Sequence, residues 1–202
     1  MNQNIKSRCE ILSRNFKEIN PERKVLLEKL ASHIQEKLNS EKEINLVYVC
    51  THNSRRSHLG QVWAKAAADF YGFKINTFSA GTEATAFNQN AINALISAGF
   101  GMEKLDETAN PKYKVIFGDG KSNLCFSKTI ENDTLPKENF AAVMTCGDAD
   151  ENCPFIPGCD LRIGTTYFDP KSFDNSVLQD EKYTERSNQI AMESLYVFSL
   201  IK

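Results

Sequence analysis

The pattern of apolar and polar positions changes character near residue 43. Before it, Val25, Leu26, Leu27, Leu30, Ala31, Ile34 and Leu38 recur at helical spacing among Lys and Glu, which predicts an amphipathic helix. Asn20 as N-cap and Pro21 at the first helical position mark its start. Such a stripe needs a partner surface, either its own domain or a second copy of the chain. Residues 1–42 therefore read as an N-terminal helical extension without evident chemistry, and residues 43–202 as the main domain.

From residue 44 onward short apolar runs alternate with helical patterns. The β-branched run 44–49 predicts a buried strand that ends at Cys50. The Ala-rich stretch 59–71 predicts a helix, and 74–79 a second strand leading into Ala80-Gly81-Thr82. Residues 88–98 predict a second helix closed by Gly99. A third strand is expected over 140–145, ending in Cys146, and a fourth over 162–168, ending in Asp169-Pro170; a helix over 183–200 closes the chain. This alternation predicts an α/β fold, an open four-stranded parallel sheet with helices on both faces. One stretch breaks the pattern. Over 113–126, apolar runs flank Gly118-Asp119-Gly120, a hairpin signal. Residues 111–137 thus read as an insertion of the kind surface loops tolerate.

Composition narrows the class further. The 202 residues are 41% hydrophobic and 25% charged, as in ordinary globular domains, which excludes long disordered architectures. A net charge of −2 supplies no basic field for nucleic acid or an anionic membrane. No apolar run is long enough to span a bilayer, and the N-terminus lacks the apolar core of a signal peptide. A cytoplasmic protein is expected. In a reducing compartment six cysteines, Cys9, Cys50, Cys125, Cys146, Cys153 and Cys159, call for chemistry or burial rather than structural disulfides. No Cys-x-x-Cys pair or neighbouring His supports a zinc site at the last three.

The segment Cys50-Thr51-His52-Asn53-Ser54-Arg55-Arg56-Ser57 joins the first predicted strand to the first predicted helix of the main domain. A short polar loop in that setting wraps a tetrahedral oxyanion with backbone N–H groups at a helix N-terminus. Residues 51–57 are expected to line it, with Arg56 folding back as a planar fork for two oxygens. The same positive field favours the thiolate of Cys50 as a nucleophile, and Ser57 can donate a hydrogen bond to it. Ligands of open parallel sheets bind outside the carboxyl ends of the strands. Cys50, Cys146 and Asp169 each follow a predicted strand, so the fold brings them to one edge.

These residues resemble a known family. Val49-Cys-Thr-His-Asn-Ser-Arg-Arg-Ser57, Ser79-Ala-Gly-Thr82 and Asp169-Pro170 are similar to the low-molecular-weight protein-tyrosine phosphatases. Val143 through Gly158, VMTCGDADENCPFIPG, followed by Tyr167-Phe-Asp-Pro170, resembles the thioredoxin-coupled arsenate reductases built on that scaffold. The resemblance runs from residue 44 to about 200, apart from the insertion. It implies that Cys50 is the nucleophile, Arg56 the oxyanion binder and Asp169 the general acid. It further implies that Cys146 attacks the Cys50–arsenic adduct, releasing arsenite and leaving a Cys50–Cys146 disulfide. Cys153 then attacks Cys146, and thioredoxin reduces the Cys146–Cys153 disulfide, with no cofactor required. On a helix those two cysteines would stand ~10.5 Å apart along the axis, beyond the ~7 Å Cα limit of a disulfide, so their segment must unwind. Two other functions fit the same residues: hydrolysis of phosphotyrosine through a Cys50 phosphocysteine, and non-catalytic oxyanion binding.

The departures from the family pattern carry their own expectations. His52 stands where Gly is usual, so a strained backbone is expected there. Arg55 replaces a common cysteine and is expected to point to solvent. Gln61 stands where Glu is usual, a departure that bears on the monovalent-cation site of some of these reductases. His58 is expected at the pocket rim, His33 at the surface, and Cys9, Cys125 and Cys159 as bystanders.

Overall fold

The computed structural model describes residues 1–152 and 155–202. Four strands, β1 (Asn45–Cys50), β2 (Asn76–Gly81), β6 (Phe140–Met144) and β7 (Cys159–Gly164), form a parallel sheet in the order β2-β1-β6-β7. β1 lies inside the sheet, with Val49 opposite Ala80 on one side and Met144 on the other. Its side chains alternate between two cores, as the pleat requires. Leu46 and Tyr48 join the larger one, Val47 and Val49 the smaller one. Ala141 and Val143 of β6 divide from Ala142 and Met144 in the same way.

The two faces are covered unequally. The larger core holds side chains of α1 (Gln3–Ser13), α2 (Pro21–Asn39), α3 (Arg56–Tyr71), α4 (Gln89–Ser97) and α6 (Gln179–Ser199). α3 lies so close to the sheet that a Cβ on Gly60 would sit 2.2 Å from the Tyr48 ring. The smaller core is closed by α5 (Gly147–Asn152), which contributes Ala149, together with Leu135 and Ile156. Among the described residues, no helix is long and apolar enough to cross a membrane.

The N-terminal arm packs on its own chain. Asn20 caps α2 by accepting from Glu22 N at 2.8 Å. The stripe Leu27, Leu30, Ala31 and Ile34 is buried, and α2 lies against α6 and β7.

Two strand expectations need correction. β7 ends at Gly164 rather than at residue 168. Its neighbour β6 stops at Met144, so only Thr165 N and Tyr167 N continue the ladder, to Met144 O (2.9 Å) and Thr145 O (3.1 Å). The expected hairpin forms as β4 (Tyr113–Gly118) and β5 (Lys121–Cys125), but β3 (Gly101–Lys104) adds a third antiparallel strand. Gly101-Met-Glu-Lys104 is mostly exposed, so it lacks the apolar alternation that marks a strand in sequence.

The insertion is also more than a tolerated surface loop. Asn123 accepts from Gln61 Nε2 on α3 (3.0 Å) and donates to Thr77 Oγ1 on β2 (2.7 Å). Beyond β5 the chain pairs with the end of β2: Gly81 N donates to Lys128 O (2.9 Å) and Ile130 N to Gly81 O (3.0 Å). The insertion thereby reaches the edge where the predicted site residues gather.

Candidate active site

Cys50 ends β1 and Arg56 begins α3, so the intervening loop turns at the carboxyl edge of the sheet. Its carbonyls face outward. Thr51 O accepts from Glu83 N (2.8 Å), His52 O from Ser127 Oγ (3.0 Å), and Ser54 O from Asn88 N (2.9 Å). All peptide bonds described are trans, and in a trans peptide the following N–H points opposite to the C=O. The amides of His52, Asn53 and Arg55 therefore turn inward, toward the space beside Cys50. β2 can abut this loop only because residue 81 is Gly: a Cβ there would meet Asn53 N and Thr51 O at 2.6 Å each.

The strained position is Asn53, not His52. Asn53 has φ 43°, a left-handed conformation that Asn tolerates better than most side chains. Its amide is fully buried and bonded at both ends. Oδ1 accepts from Lys128 N (2.8 Å) and Nδ2 donates to Ser57 Oγ (2.8 Å). Ser57 Oγ, already an acceptor there, has its own proton free for Cys50 Sγ at 3.1 Å. A hydroxyl so oriented stabilises a thiolate. His52 instead projects outward, with Nε2 3.4 Å from Glu83 Oε2.

Arg56 spans the site. Nη1 donates to Tyr167 O (2.8 Å) and Nη2 to Asp169 Oδ2 (2.5 Å), while Nε is buried without a protein partner among the described residues. An unpaired buried donor costs free energy, and Arg56 lines a small pocket with Cys50, Thr51, His52, Ser54, Arg55 and Asp169. A bound oxyanion would satisfy it. Asp169 is further held by Lys171 N, which donates to Oδ1 at 3.0 Å.

Arg55 does not point to solvent. Its Nε donates to Tyr183 Oη (2.6 Å) and its Nη2 to Asp174 Oδ2 (3.0 Å), and Tyr183 Oη donates in turn to Asp174 Oδ1 (2.7 Å). Burial, and then its bond to Asp174, push the Tyr183 hydroxyl up to about 12. His58 is not at the rim either. It is fully buried, stacked on Phe87 with ring centroids 4.0 Å apart, and its Nδ1 lies 3.0 Å from Ser79 Oγ. Burial, assisted by the charge of Lys128, holds it neutral by lowering its pKa well below the usual histidine value.

Gln61 brings no charge to a monovalent cation, although its Oε1 is buried without a protein partner among the described residues. Its Nε2 is committed to Asn123 and to Leu124 O (2.9 Å), and the charge of Lys128 is felt at His58, three residues earlier on α3. Among the described residues, no group of three His, Cys, Asp or Glu is placed to hold a metal ion.

Cys146 lies just beyond β6, buried in the smaller core that also holds Cys50. Its Sγ is 3.4 Å from Thr51 Oγ1 and accepts from Ala149 N at 3.4 Å. The expected partner Cys153 lies outside the described residues. Cys9 and Cys125 are fully buried, and burial pushes each thiol up to about 12. Cys159 is half-buried. His33 is not a free surface residue: Nε2 lies 3.3 Å from Asp160 Oδ1, beside the Lys37–Asp160 ion pair. Sequence reasoning missed Ser127 and Lys128, which fasten the loop from about 75 positions away. The hairpin signal placed the insertion but not its contacts.

No family model matches the chain. Arsenate reductase 1 of Bacillus cereus is 30% identical over 139 residues, covering 69% of this chain and 86% of that protein. The arsenate reductase of Brevibacillus brevis is 29% identical over 130 residues, 64% and 79% of the two chains. Among solved structures, an arsenate reductase in its oxidized state superposes with a TM-score of 0.52 at 18% identity, covering 78% of this chain and 98% of that one. A low-molecular-weight protein tyrosine phosphatase from T. tengcongensis gives 0.55 at 14% identity, covering 79% and 100%. The structural likenesses show the fold of the low-molecular-weight phosphatases. Within that superfamily, the chain belongs to the arsenate reductase branch.

Proposed function

We propose that this chain reduces arsenate to arsenite, using Cys50 as nucleophile and Cys146 as the second thiol. The observation that carries this reading is the placement of Cys146 on the neighbouring strand end, its Sγ 3.4 Å from the hydroxyl of the residue that follows Cys50. The Cys50 thiolate displaces one oxygen of arsenate, forming an S–As bond. Asp169 donates the proton with which that oxygen leaves as water, while Arg56 and the loop amides hold the other oxygens. The Cys146 thiolate then attacks Cys50 Sγ. The S–S bond forms, the S–As bond breaks, and its electron pair leaves with arsenic, which becomes As(III). Cys153 attacks Cys146, freeing Cys50, and a dithiol protein such as thioredoxin reduces the Cys146–Cys153 disulfide.

The hydrolytic alternative uses the same Cys50, Arg56 and Asp169 on a phosphate ester, because phosphate and arsenate have nearly the same shape. The second and third thiols separate the two. In a thioredoxin-coupled assay, Cys146→Ser and Cys153→Ser are expected to stop arsenate turnover while aryl phosphate hydrolysis continues. Full-rate reduction by both variants would overturn the relay. Failure of the unaltered protein to reduce arsenate while it hydrolyses the ester would make it a phosphatase. Loss of hydrolysis in Cys50→Ser separates either enzyme from a non-catalytic oxyanion-binding module.

A further inference from the structure

The N-terminal arm reaches the segment that carries Asp169. Arg23, in the first turn of α2, donates from Nη2 to Thr166 O at 2.5 Å. Its Nε lies 3.4 Å from Glu193 Oε1 on α6, and its guanidinium lies over the Tyr167 ring, 5.0 Å from the centroid. Tyr167 Oη donates to the other oxygen of Glu193 at 2.8 Å. Glu193 is 3% exposed and Tyr167 8%, so the hydrogen bond between them is buried and its geometry is specific. On the inner side, the carbonyl of Tyr167 accepts from Arg56 at 2.8 Å. The backbone leading to Asp169 is thus gripped from two directions, from outside by the arm and from inside by the arginine of the anion loop.

We propose that Arg23 is a positioning residue: it fixes Thr166 and Tyr167 so that the carboxyl of Asp169 is held over the Cys50 pocket. Without Arg23, the Thr166 carbonyl loses its donor and the buried Glu193 loses its ionic partner. The Tyr167 ring, no longer clamped, can shift and carry Asp169 with it. The arm therefore acts on catalysis through the placement of the acid, without touching substrate.

This inference rests on Asp169 being the general acid, and its test uses leaving groups of different need. A 2,4-dinitrophenyl ester expels its phenoxide without protonation, whereas a phenyl ester needs the acid. kcat/KM for both phosphates would be measured in the unaltered protein, Arg23→Ala, Arg23→Lys and Asp169→Asn. Arg23→Ala is expected to lower the phenyl phosphate value about tenfold and to leave the dinitrophenyl value within about twofold. Arg23→Lys, which keeps a cation beside Glu193, should recover most of the loss. The ratio of the two substrates does not depend on how much protein is folded, so instability alone cannot imitate the result. Equal loss with both esters, or no loss, while Asp169→Asn shows the selective defect, would overturn the role of Arg23. If Asp169→Asn itself shows no selectivity, the acid assignment fails and the proposal falls with it.

Discussion

Cys50 and Cys146 leave neighbouring strands of one sheet, yet they are held in different ways. The Cys50 loop is tied down on every side: Asn53 and Ser57 from within, Gly81 at the end of β2 and Glu83 just beyond it, Ser127 and Lys128 from the insertion, Tyr183 and Asp174 through Arg55. The Cys146 side has α5, six residues long, of which Ala149 is buried and Gly147, Asp148 and Glu151 are exposed. An oxyanion site gains from rigidity, because fixed dipoles need no reorganisation when charge develops. In the proposed relay the second thiol meets first Cys50 and then Cys153, which asks the short α5 to unwind and to release ties such as the Asp150–Arg162 ion pair (2.7 Å). On the proposed function, a single strand-end edge thus carries a preorganised cradle beside a segment that has to rearrange.

The comparison can be broken most forcefully at the cradle. Cys50→Ser should remove both arsenate reduction and aryl phosphate hydrolysis, by about 10⁴-fold or more in kcat; substantial residual hydrolysis would place the nucleophile elsewhere. Asn53→Ala removes two buried hydrogen bonds and puts Ala at φ 43°. The expected cost is about 2–3 kcal/mol in denaturant unfolding, with a fall in kcat/KM of about 100-fold for aryl phosphate. Asn53→Gly should recover part of the stability and little of the activity. Equal activity in all three proteins would show that the loop does not depend on this amide. On the other side of the comparison, oxidation should increase hydrogen exchange across residues 146–156 and leave 50–57 nearly unchanged. Identical exchange in the reduced and oxidised protein would end the idea that α5 unwinds.

The smallest expected effect concerns the cation beneath the cradle. Lys128 is 4% exposed, and burial lowers its pKa from 10.5 to about 8. The unfolded chain therefore binds more protons than the folded one between pH 8 and 10.5. In that window the stability of the folded protein rises with pH, and below it the cost of the buried charge is present in full, at most about 3 kcal/mol. Lys128→Met removes this dependence. The advantage of the variant in urea unfolding should be largest below pH 8 and shrink toward pH 10.5; a gap that does not vary with pH would mean that Lys128 binds its proton equally well in the folded and unfolded chain, so that burial does not shift it.

Local chemistry made much of this legible before the structure. The apolar run of β1, the Asn cap of α2 and the Gly-Asp-Gly turn of the hairpin are each set by a few adjacent residues. β3 escaped notice because its exposed residues are stabilised by ladder hydrogen bonds rather than by an apolar face. The surroundings of Arg55 and His58 were misread for a related reason. Their partners, Tyr183 and Asp174 for one and Ser79 and Phe87 for the other, are distant in sequence. Motif and spacing picked out Cys50, Arg56, Asp169 and Cys146, but nothing local announces that Arg23 or Lys128 approaches them.

Burial of the arm and hairpin thiols has a practical consequence. Cys9 and Cys125, each pushed up to about 12, are almost wholly protonated near neutrality and shielded from reagents. Alkylation of the native protein should therefore fall short of six thiols by at least these two. Any further drop in labelling stoichiometry during turnover would belong to Cys50, Cys146, Cys153 or Cys159, which makes the silent pair an internal blank.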